Sequence, residues 1–522
     1  MFSEGSRYAM KRIVKSITFA EGIDRIIQEF KWPTHPGKAA LAEAERLPAS
    51  LPEAEIQRRV DLTGEVTVTI DGETARDFDD AVSLMSKGDH SILKVSIADV
   101  STYVVPGSAL DREAFQRAVS LYFPDRCLPM LPERLSNDLC SLVPGKIRPT
   151  FTAEIEFDSD GGPVRSRFYR SLIRSAARLT YTLVRKIVSD RDPAERKRHE
   201  NLIPHLERMV ELAGKLRHQR ELRGSLDFDL PEPEIILDLE TGSVEGMMRA
   251  ERNLAHRLIE EFMIAANEAV ARFVTEQNAP MIYRIHETPS PEGVHDFQTF
   301  LHNLGIPVKL GRGKGSLEFA KVIEAVKGRD EERVVNTLLL RTMKQAIYDT
   351  KNAGHFGLAS ACYTHFTSPI RRYPDLQVHR ILAGLIEQKE KRRETRSKKL
   401  VQEIADRCSE RERMAMKAEW ASRDLAGAFF MQDKAGKTFH GIVGGLAKFG
   451  LFVELTPYLV QGLLPFRNMT DDHYLFSPTQ HLVIGRKTKK RFRLGERIDV
   501  CVKQVNLEKR WIDLCLANSV PT

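Results

Sequence analysis

The chain has 522 residues, a length that predicts about two to four domains and a core large enough to need no disulfide staples. Hydrophobic residues make up 42% and charged residues 29%, which excludes a disordered chain. The 79 Lys and Arg against 72 Asp and Glu leave a net charge of +7, a mild excess that permits a polyanionic partner without requiring one.

Neither the N-terminus nor the cysteines indicate secretion. The first residues carry charges but no apolar segment followed by a small-residue cleavage site. No apolar run approaches the roughly 20 residues of a membrane helix. The six cysteines form no Cys-x-x-Cys pair, which argues against a zinc ribbon and against a secreted disulfide scaffold. We therefore expect a cytoplasmic protein that does not associate with a membrane.

In chain order, helical and β patterns alternate. Residues 1–60 are irregular in character, and residues 38–59 within them predict a short helix, a proline break and a second short helix. Three β-type runs follow, which are VTVTI from Val66, SILKVSIADVSTYVV from Ser91 and FTAEIEFD from Phe151. Helical patterns occupy residues 179–223, 253–276 and 292–349. Residues 381–429 are helical and dense in charge, which favours a solvated face over a dedicated RNA surface.

After Lys434 the pattern changes to short β-rich pieces separated by glycines and charged turns. Five such pieces in about 85 residues predict a small barrel of the OB type. The sequence as a whole therefore predicts an α+β fold, with a large mixed domain followed by a small β-barrel.

The sharpest chemical signal is IDGETARDFDDAV, residues 70–82. It places Asp71, Asp77, Asp79 and Asp80 directly after a predicted strand. Crowded carboxylates repel one another, and a divalent cation relieves that repulsion. Oxygen ligands of this kind suit Mg²⁺ or Mn²⁺ better than Zn²⁺. The alternatives are a solvated acidic turn and a calcium loop, although the residue order does not match an EF-hand.

A second signal is CYTHFTSPIRRYPDLQVHR, residues 362–380. Pro369 is predicted to start a helix with Arg371 and Arg372 in its first turn. Arginines at that position oppose the helix dipole, so they need an anionic partner, and phosphate suits the guanidinium fork. A surface salt bridge to Asp375 is the alternative.

Other polar side chains of this segment are expected to have structural roles. His365 and His379 are predicted to orient or pack rather than to bind metal. Thr367 and Ser368 are predicted to form a turn, because no Gly-x-Ser-x-Gly elbow surrounds them.

Both stretches resemble the signature motifs of the RNB ribonucleases, the ribonuclease II and ribonuclease R family. Similar matches, in the family's order, cover residues 120–142, 224–234, 253–267 and 354–359. The spelling HFTSPIRRYPD is closer to the ribonuclease R branch. The resemblance implies an RNB catalytic domain and a processive, Mg²⁺-dependent 3′→5′ exoribonuclease, with Mn²⁺ as a possible substitute. Its partner would be single-stranded RNA with a free 3′ end, and its products nucleoside 5′-monophosphates.

The resemblance also implies roles for individual residues. It places Asp71, Asp77, Asp79 and Asp80 in the metal site, with Asp79, Asp80 and Arg371 as catalytic residues and Asp80 acting beyond simple ligation. It implies that RNA is contacted by Tyr122, Phe228, Glu260 or Glu261, Arg371 and Arg372. Read from the residues alone, Tyr122 could be core and Phe228 a half-buried strand residue.

Residues 437–518 resemble the RNA-binding domain repeated in ribosomal protein S1. The resemblance implies that the stacking face contains Phe439, Phe449, Phe452 and His473. Lys448 and the basic run 486–493 would add phosphate contacts. The alternative is that Phe449 and Phe452 belong to the barrel core.

The expected domains are a remnant of a cold-shock domain with a linker (1–60), the RNB domain (61–385), a charged helical connection (386–434) and the S1-like barrel (435–519). We expect a monomer. The rival functions are a catalytically silent RNA-binding protein and a metal-dependent nuclease acting on DNA. The four intact aspartates argue against the silent alternative.

Overall fold

The computed structural model describes residues 17–228, 233–238, 240–311, 315–329, 331–387, 398–477 and 482–517. Across these ranges, none of the helices has the length and apolar character needed to cross a membrane.

The N-terminal segment is helical, with α1 (Phe19–Glu29), α2 (Lys38–Arg46) and α3 (Glu53–Ile56). Thr18 and Glu21 form a capping box that fixes the start of α1. The apolar side of α1 packs against the helix Lys398–Met431. The cold-shock origin of residues 1–60 stays a prediction, and the described part of the segment forms helices instead of barrel strands.

A six-stranded sheet forms the centre of the catalytic region. Its strands, together with a separate two-stranded hairpin β5–β6, are β1 (Val60–Asp61), β2 (Thr67–Asp71), β3 (Asp80–Lys87), β4 (His90–Ala98), β5 (Leu121–Tyr122), β6 (Cys127–Leu128), β7 (Ile147–Phe157) and β8 (Pro163–Thr180). The sheet order is β1-β8-β2-β3-β4-β7, and β7 also pairs with β8, so that the sheet closes on itself. The long β8 makes this possible, because its early residues pair with β7 and its last residues with β2.

Helices and two short two-stranded sheets surround the six-stranded sheet. They are α4 (Ala109–Arg117), α5 (Tyr181–Val188), α6 (Pro193–Arg198), α7 (Ile203–Arg223), β9 (Pro233–Leu237), β10 (Val244–Arg249), α8 (Leu254–Glu276), β11 (Tyr283–Ile285), α9 (Pro291–Asn303), α10 (Ser316–Val326), α11 (Glu332–Thr342), β12 (Ile347–Asp349), α12 (Tyr373–Ile386) and α13 (Lys398–Met431). Helix α8 packs on the sheet, and its Phe262 shares one buried core cluster with Phe151 and Leu93 of the strands.

Two predicted elements end differently from expectation. The run from Ser91 leaves the strand at Ala98, because the buried Asp99 turns the chain and pairs with Arg59 at 2.8 Å. The helical region expected from residue 179 begins at Tyr181, because β8 continues to Thr180. The side chain of Thr180 then caps the start of α5.

The C-terminal region is a closed five-stranded barrel, as predicted, with an additional three-stranded sheet that the sequence analysis did not predict. The strands are β13 (Thr438–Ala447), β14 (Gly450–Leu455), β15 (Val460–Pro465), β16 (Tyr474–Ser477), β17 (Leu482–Gly485), β18 (Arg491–Arg493), β19 (Arg497–Asn506) and β20 (Trp511–Leu516). The barrel comprises β13, β14, β15, β20 and β19, and the extra sheet comprises β16, β17 and β18. Tyr474, Val483 and Phe492 anchor the extra sheet in the barrel core.

Candidate active site

The acidic and basic segments meet at one cavity of about 1190 Å³. All four aspartates of the acidic segment line it, together with Tyr122, Glu260, Arg371 and Arg372. Strand β2 ends at Asp71 and the antiparallel β3 begins at Asp80. The sheet therefore holds both ends of the acidic loop side by side at the cavity wall.

Asp79 is the link between the two segments. Its side chain is buried, and its Oδ1 accepts a 2.8 Å hydrogen bond from the backbone N–H of Ile370. Its Oδ2 has no hydrogen-bond partner in the described part of the chain and lies 3.8 Å from Nε of Arg371. Burial raises the pKa of Asp79 well above its usual range, against the opposing effect of Arg371.

The pKa values of Asp71 and Asp80 are raised as well. Burial, with a smaller contribution from the charge of Asp71, raises the pKa of Asp80 to about 7. Burial raises the pKa of Asp71 as well, although its carboxylate accepts a 2.8 Å bond from the N–H of Gly72. Asp77 accepts a 3.1 Å hydrogen bond from the hydroxyl of Tyr122. The cavity wall thus concentrates carboxylates that lack enough positive partners.

The donor set fits a hard divalent cation. It consists of carboxylate oxygens, one of them buried without a partner, and such oxygens are the ligands that Mg²⁺ and Mn²⁺ prefer. Within the described ranges, however, no three His, Cys, Asp or Glu side chains converge closely enough to hold one ion as they stand. The residues present therefore supply the right chemistry without a fully assembled ligand geometry.

The basic segment differs from the prediction in one respect. Helix α12 begins at Tyr373, with Pro374 in its first turn, so Arg371 and Arg372 precede the helix. The start is fixed by Asp375, whose carboxylate accepts the N–H of Ser368 at 2.8 Å. The argument from the helix dipole therefore does not apply, because neither guanidinium stands on the first helical turn.

The two arginines have different environments. The side chain of Arg372 is 16% exposed and donates at 2.7 Å to the fully buried Asp375. The side chain of Arg371 is 42% exposed and donates at 3.1 Å to the hydroxyl of Ser368. The salt bridge to Asp375 that was considered as an alternative is thus formed by Arg372, and Arg371 remains open to the cavity.

Tyr122 lies on the hairpin β5–β6 and is 39% exposed at the cavity, so the alternative that it belongs to the core is wrong. The preceding residues fix this hairpin to the basic segment, since the N–H of Ser120 donates to the carbonyl of Arg371 at 3.0 Å. Phe228 is not brought to this cavity. Its side chain is half-buried and packs against the helical cluster that contains Leu226 and Phe297.

The structure separates the two adjacent glutamates. Glu260 lines the cavity and pairs with Arg252 at 2.5 Å. Glu261 points away from the cavity into the protein, where its carboxylate accepts two hydrogen bonds of 2.6 and 2.8 Å from Arg220. The RNA contact expected of Glu261 is therefore wrong, because its carboxylate is 4% exposed and already paired.

The histidines agree with the predicted orienting and packing roles. His379 is buried, its Nε2 donates a 2.8 Å hydrogen bond to the carbonyl of Phe366, and its ring stacks on the ring of Phe366. His365 lines the cavity and is 2.8 Å from the hydroxyl of Tyr348. Burial lowers the pKa of His365 well below its usual range.

Several residues that line the cavity were not predicted from the sequence. Arg284 lies within the short strand β11 and lines the cavity, where its guanidinium pairs with Glu412 at 2.6 Å and lies 4.7 Å from the ring centre of Tyr348. Tyr181 and Asn267 also line it. Their segments show ordinary strand or helix patterns, so no local signal distinguishes them from structural residues.

In the barrel, Phe449 is the most open of the three phenylalanines predicted to stack, with 58% of its surface exposed. Phe452 lies on β14 with its ring 6.1 Å from that of Phe449. Phe439 is half-buried and packs on the barrel core beside Tyr458. His473 is exposed just before β16. The alternative that both Phe449 and Phe452 are core is wrong for Phe449.

Comparisons with known proteins agree with this architecture. The RNB domain model matches residues 59–388, and the S1 RNA binding domain model matches residues 432–517. Ribonuclease R of Aquifex aeolicus is 42% identical over 492 residues, covering 94% of this chain and 69% of that protein. Ribonuclease R of Escherichia coli K12 is 40% identical, covering 94% of this chain and 60% of that protein.

A solved structure gives the same result. Mycoplasma genitalium RNase R in complex with ribose methylated single-stranded RNA superposes with a TM-score of 0.89 at 29% identity, covering 95% of this chain and 78% of that one. Fold and cavity thus define an RNB-type nuclease with an S1 domain. More particularly, the chain belongs to the ribonuclease R family and is a 3′→5′ exoribonuclease. A catalytically silent RNA-binding protein is not favoured.

Proposed function

We propose that this exoribonuclease is processive, uses Mg²⁺, and hydrolyses single-stranded RNA from a free 3′ end to nucleoside 5′-monophosphates. The observation that carries the proposal is the environment of Asp79. Its buried carboxylate has one oxygen fixed by Ile370 and the other without a hydrogen bond, facing Arg371 at 3.8 Å. Such an arrangement is costly unless a cation and a phosphate complete it.

Asp71, Asp77, Asp79 and Asp80 are proposed to hold the divalent cation. When bound, the cation supplies activation of a water molecule and neutralisation of charge on the phosphate. Asp80 is proposed to act beyond ligation, and burial beside the charge of Asp71 makes its carboxylate costly to leave without a cation. The requirement for a divalent metal is the general expectation for this class, and Mg²⁺ in particular is our proposal.

Arg371 is proposed to bind the scissile phosphate, and its half-exposed guanidinium can reach an anion in the cavity. Tyr122 is proposed to stack on one of the last bases, which it can do with its ring held by the hydrogen bond to Asp77. Glu260 lies on the same wall, where a carboxylate can accept a bond from a ribose hydroxyl.

We also propose that the barrel binds the strand outside the cavity, that the protein is a monomer, and that it works in the cytoplasm. The first proposal is supported by the exposed ring of Phe449 and by the RNA-binding family of the domain. The proposal of a cytoplasmic protein is supported by the six cysteines, all of which are free.

The test incubates 5′-labelled RNA and DNA of one sequence with the protein in Mg²⁺ or in EDTA. A ladder that shortens from the 3′ end on RNA alone, and only with Mg²⁺, supports the proposal. Asp80→Asn should lower the rate by at least about 1000-fold, while RNA binding stays within about twofold. Normal degradation of RNA by Asp80→Asn would contradict the assignment of this site.

A further inference from the structure

A stripe of three residues on α13 lies beside the cavity and has no part in the site described above. It consists of Arg413, Lys417 and Trp420, whose spacing of four and three residues places them on one face of the helix. All three are exposed, and Trp420 exposes 53% of its surface. A large aromatic ring next to two cations on an open surface is the composition of a nucleic-acid contact.

The adjoining face of α13 forms part of the cavity wall. The carboxylate of Glu412 accepts a 2.6 Å hydrogen bond from Arg284. Two turns further along, the carboxylate of Glu419 accepts a 3.4 Å bond from the backbone N–H of Tyr122. Both Arg284 and Tyr122 line the cavity, so this helix runs along the rim.

Met416 connects that face with the exposed stripe. Its sulfur is 3.6 Å from Nε2 of Gln345, and Gln345 is followed in the chain by the cavity-lining Ala346. Trp420 stands one turn after Met416, at the i+4 position that covers the same side of a helix. The indole therefore lies on the side of the helix that is next to the cavity wall.

We propose that Trp420 stacks on one base of single-stranded RNA at the rim of the cavity, with Lys417 and Arg413 contacting the adjoining phosphates. The proposal rests on the proposed exoribonuclease function and adds a subsite outside the cavity. Stacking on an indole tolerates any base, which suits an enzyme that must pass every sequence. The exposed Asp424, one turn after Trp420, repels phosphate and confines the backbone to the side of Lys417.

Tryptophan fluorescence tests the contact directly, because the chain has only three tryptophans. Trp32 is 4% exposed beneath the guanidinium of Arg411, so it is shielded from RNA. Trp511→Phe leaves Trp420 as the exposed reporter, and Asp80→Asn in the same chain keeps the RNA intact. Adding single-stranded oligouridylate should quench this double variant and leave the emission unchanged when Trp420→Phe is added.

Kinetics give the second readout. Trp420→Ala should raise the KM for single-stranded RNA between about fivefold and about 100-fold, the loss expected for one stacked base, with kcat at saturating RNA unchanged. Trp420→Phe keeps a ring and should change KM less than about threefold. The control Leu400→Ala removes another exposed apolar side chain, 41% exposed, from the same helix and should leave KM unchanged.

Two results would overturn the proposal while leaving the nuclease function intact. One is a normal KM for Trp420→Ala in an enzyme that still degrades RNA. The other is a reporter emission that responds to protein concentration and not to RNA, which would assign the ring to a contact between copies. Should Trp420→Ala fail to fold, Trp420→Phe in the quenching assay decides the question.

Discussion

The backbone N–H of Ile370 donates a 2.8 Å hydrogen bond to Oδ1 of Asp79, across 291 positions of the chain. This single bond joins the loop that carries the carboxylates to the loop that carries the arginines. Because the donor is a main-chain group, the bond is independent of the side chain at position 370. The position of Arg371 relative to the acidic wall is therefore set by the side chain of Asp79 and by the backbone of the arginine loop.

The first prediction separates Arg371 from Arg372. Arg371→Ala should lower kcat about 100-fold to 1000-fold, because it removes a cation aimed at the phosphate, and the melting temperature should hardly change. Arg371→Lys keeps the positive charge without the forked guanidinium geometry, so it should recover part of the lost kcat. Steady-state degradation of labelled RNA and thermal unfolding measure the two effects.

Arg372→Ala is the matched comparison. It leaves the buried Asp375 without its partner, so it should lower the free energy of unfolding by about 3–5 kcal/mol. If Arg372→Ala were as stable as the wild type while Arg371→Ala unfolded, the separation between a cavity-facing and a structural arginine would be wrong.

The second prediction concerns the adjacent glutamates. Glu261→Gln should destabilise the protein by about 3–5 kcal/mol, because it breaks a buried pair and leaves Arg220 with an unmatched charge. Glu260→Gln should leave stability within about 0.5 kcal/mol and act on RNA turnover. Urea unfolding of both variants, alongside their rates on RNA and DNA, is the measurement. Equal stability of the two variants would contradict the burial argument.

These glutamates show how far the sequence can lead. The long helix predicted over residues 253–276 is evident from its 3.6-residue pattern, and the structure forms it from Leu254 to Glu276 with Asn253 as its N-cap. The pattern cannot decide which of Glu260 and Glu261 faces the cavity, because adjacent side chains lie about 100° apart around a helix. That choice depends on Arg220, which lies on a different helix and reaches the site only in the folded protein.

The arginine loop shows a second limit. The predicted helix starts at Pro369, although Pro374 suits a first helical turn equally well. The structure uses Pro374, because Asp375 accepts bonds from the N–H of Ser368 and from Arg372 and so fixes the turn before the helix. Strand order, the closure of the sheet and the cavity residue Arg284 likewise depend on long-range contacts that carry no local signal.

The third prediction is a pH effect on stability. Burial, with the nearby His286 and Arg284, lowers the pKa of His355 to about 3. The unfolded chain binds this proton near pH 6.5, so stability is fully present above that pH and declines as the pH falls towards 3. The slope for one such group is about 1.4 kcal/mol per pH unit.

The variant His355→Asn tests this effect, because an amide oxygen can accept the N–H of Leu358 as the ring nitrogen does. The dependence of its unfolding free energy on pH between 6 and 4 should be shallower than that of the wild type by about one proton. His473→Asn, at an exposed ring, serves as the control and should keep the wild-type slope. An unchanged slope in His355→Asn would exclude this group as the source.

The last prediction concerns the barrel. Phe449 is 58% exposed, whereas Phe439 is half-buried on the barrel core, although the sequence resemblance places both on one stacking face. Phe449→Ala should therefore weaken RNA binding by about 1–3 kcal/mol with no loss of stability. Phe439→Ala should lower the free energy of unfolding by about 1–3 kcal/mol, because it removes apolar contacts inside the domain.

Filter binding in EDTA, which prevents degradation, and thermal unfolding separate these outcomes. An RNA strand held by Phe449 stays attached between cleavage events. Phe449→Ala should therefore reduce the number of nucleotides removed per encounter and leave the rate of each cleavage unchanged. Single-encounter degradation with an excess of unlabelled RNA as a trap measures that number. Because the ring lies outside the catalytic cavity, a slower cleavage step in Phe449→Ala would contradict its assignment to strand retention.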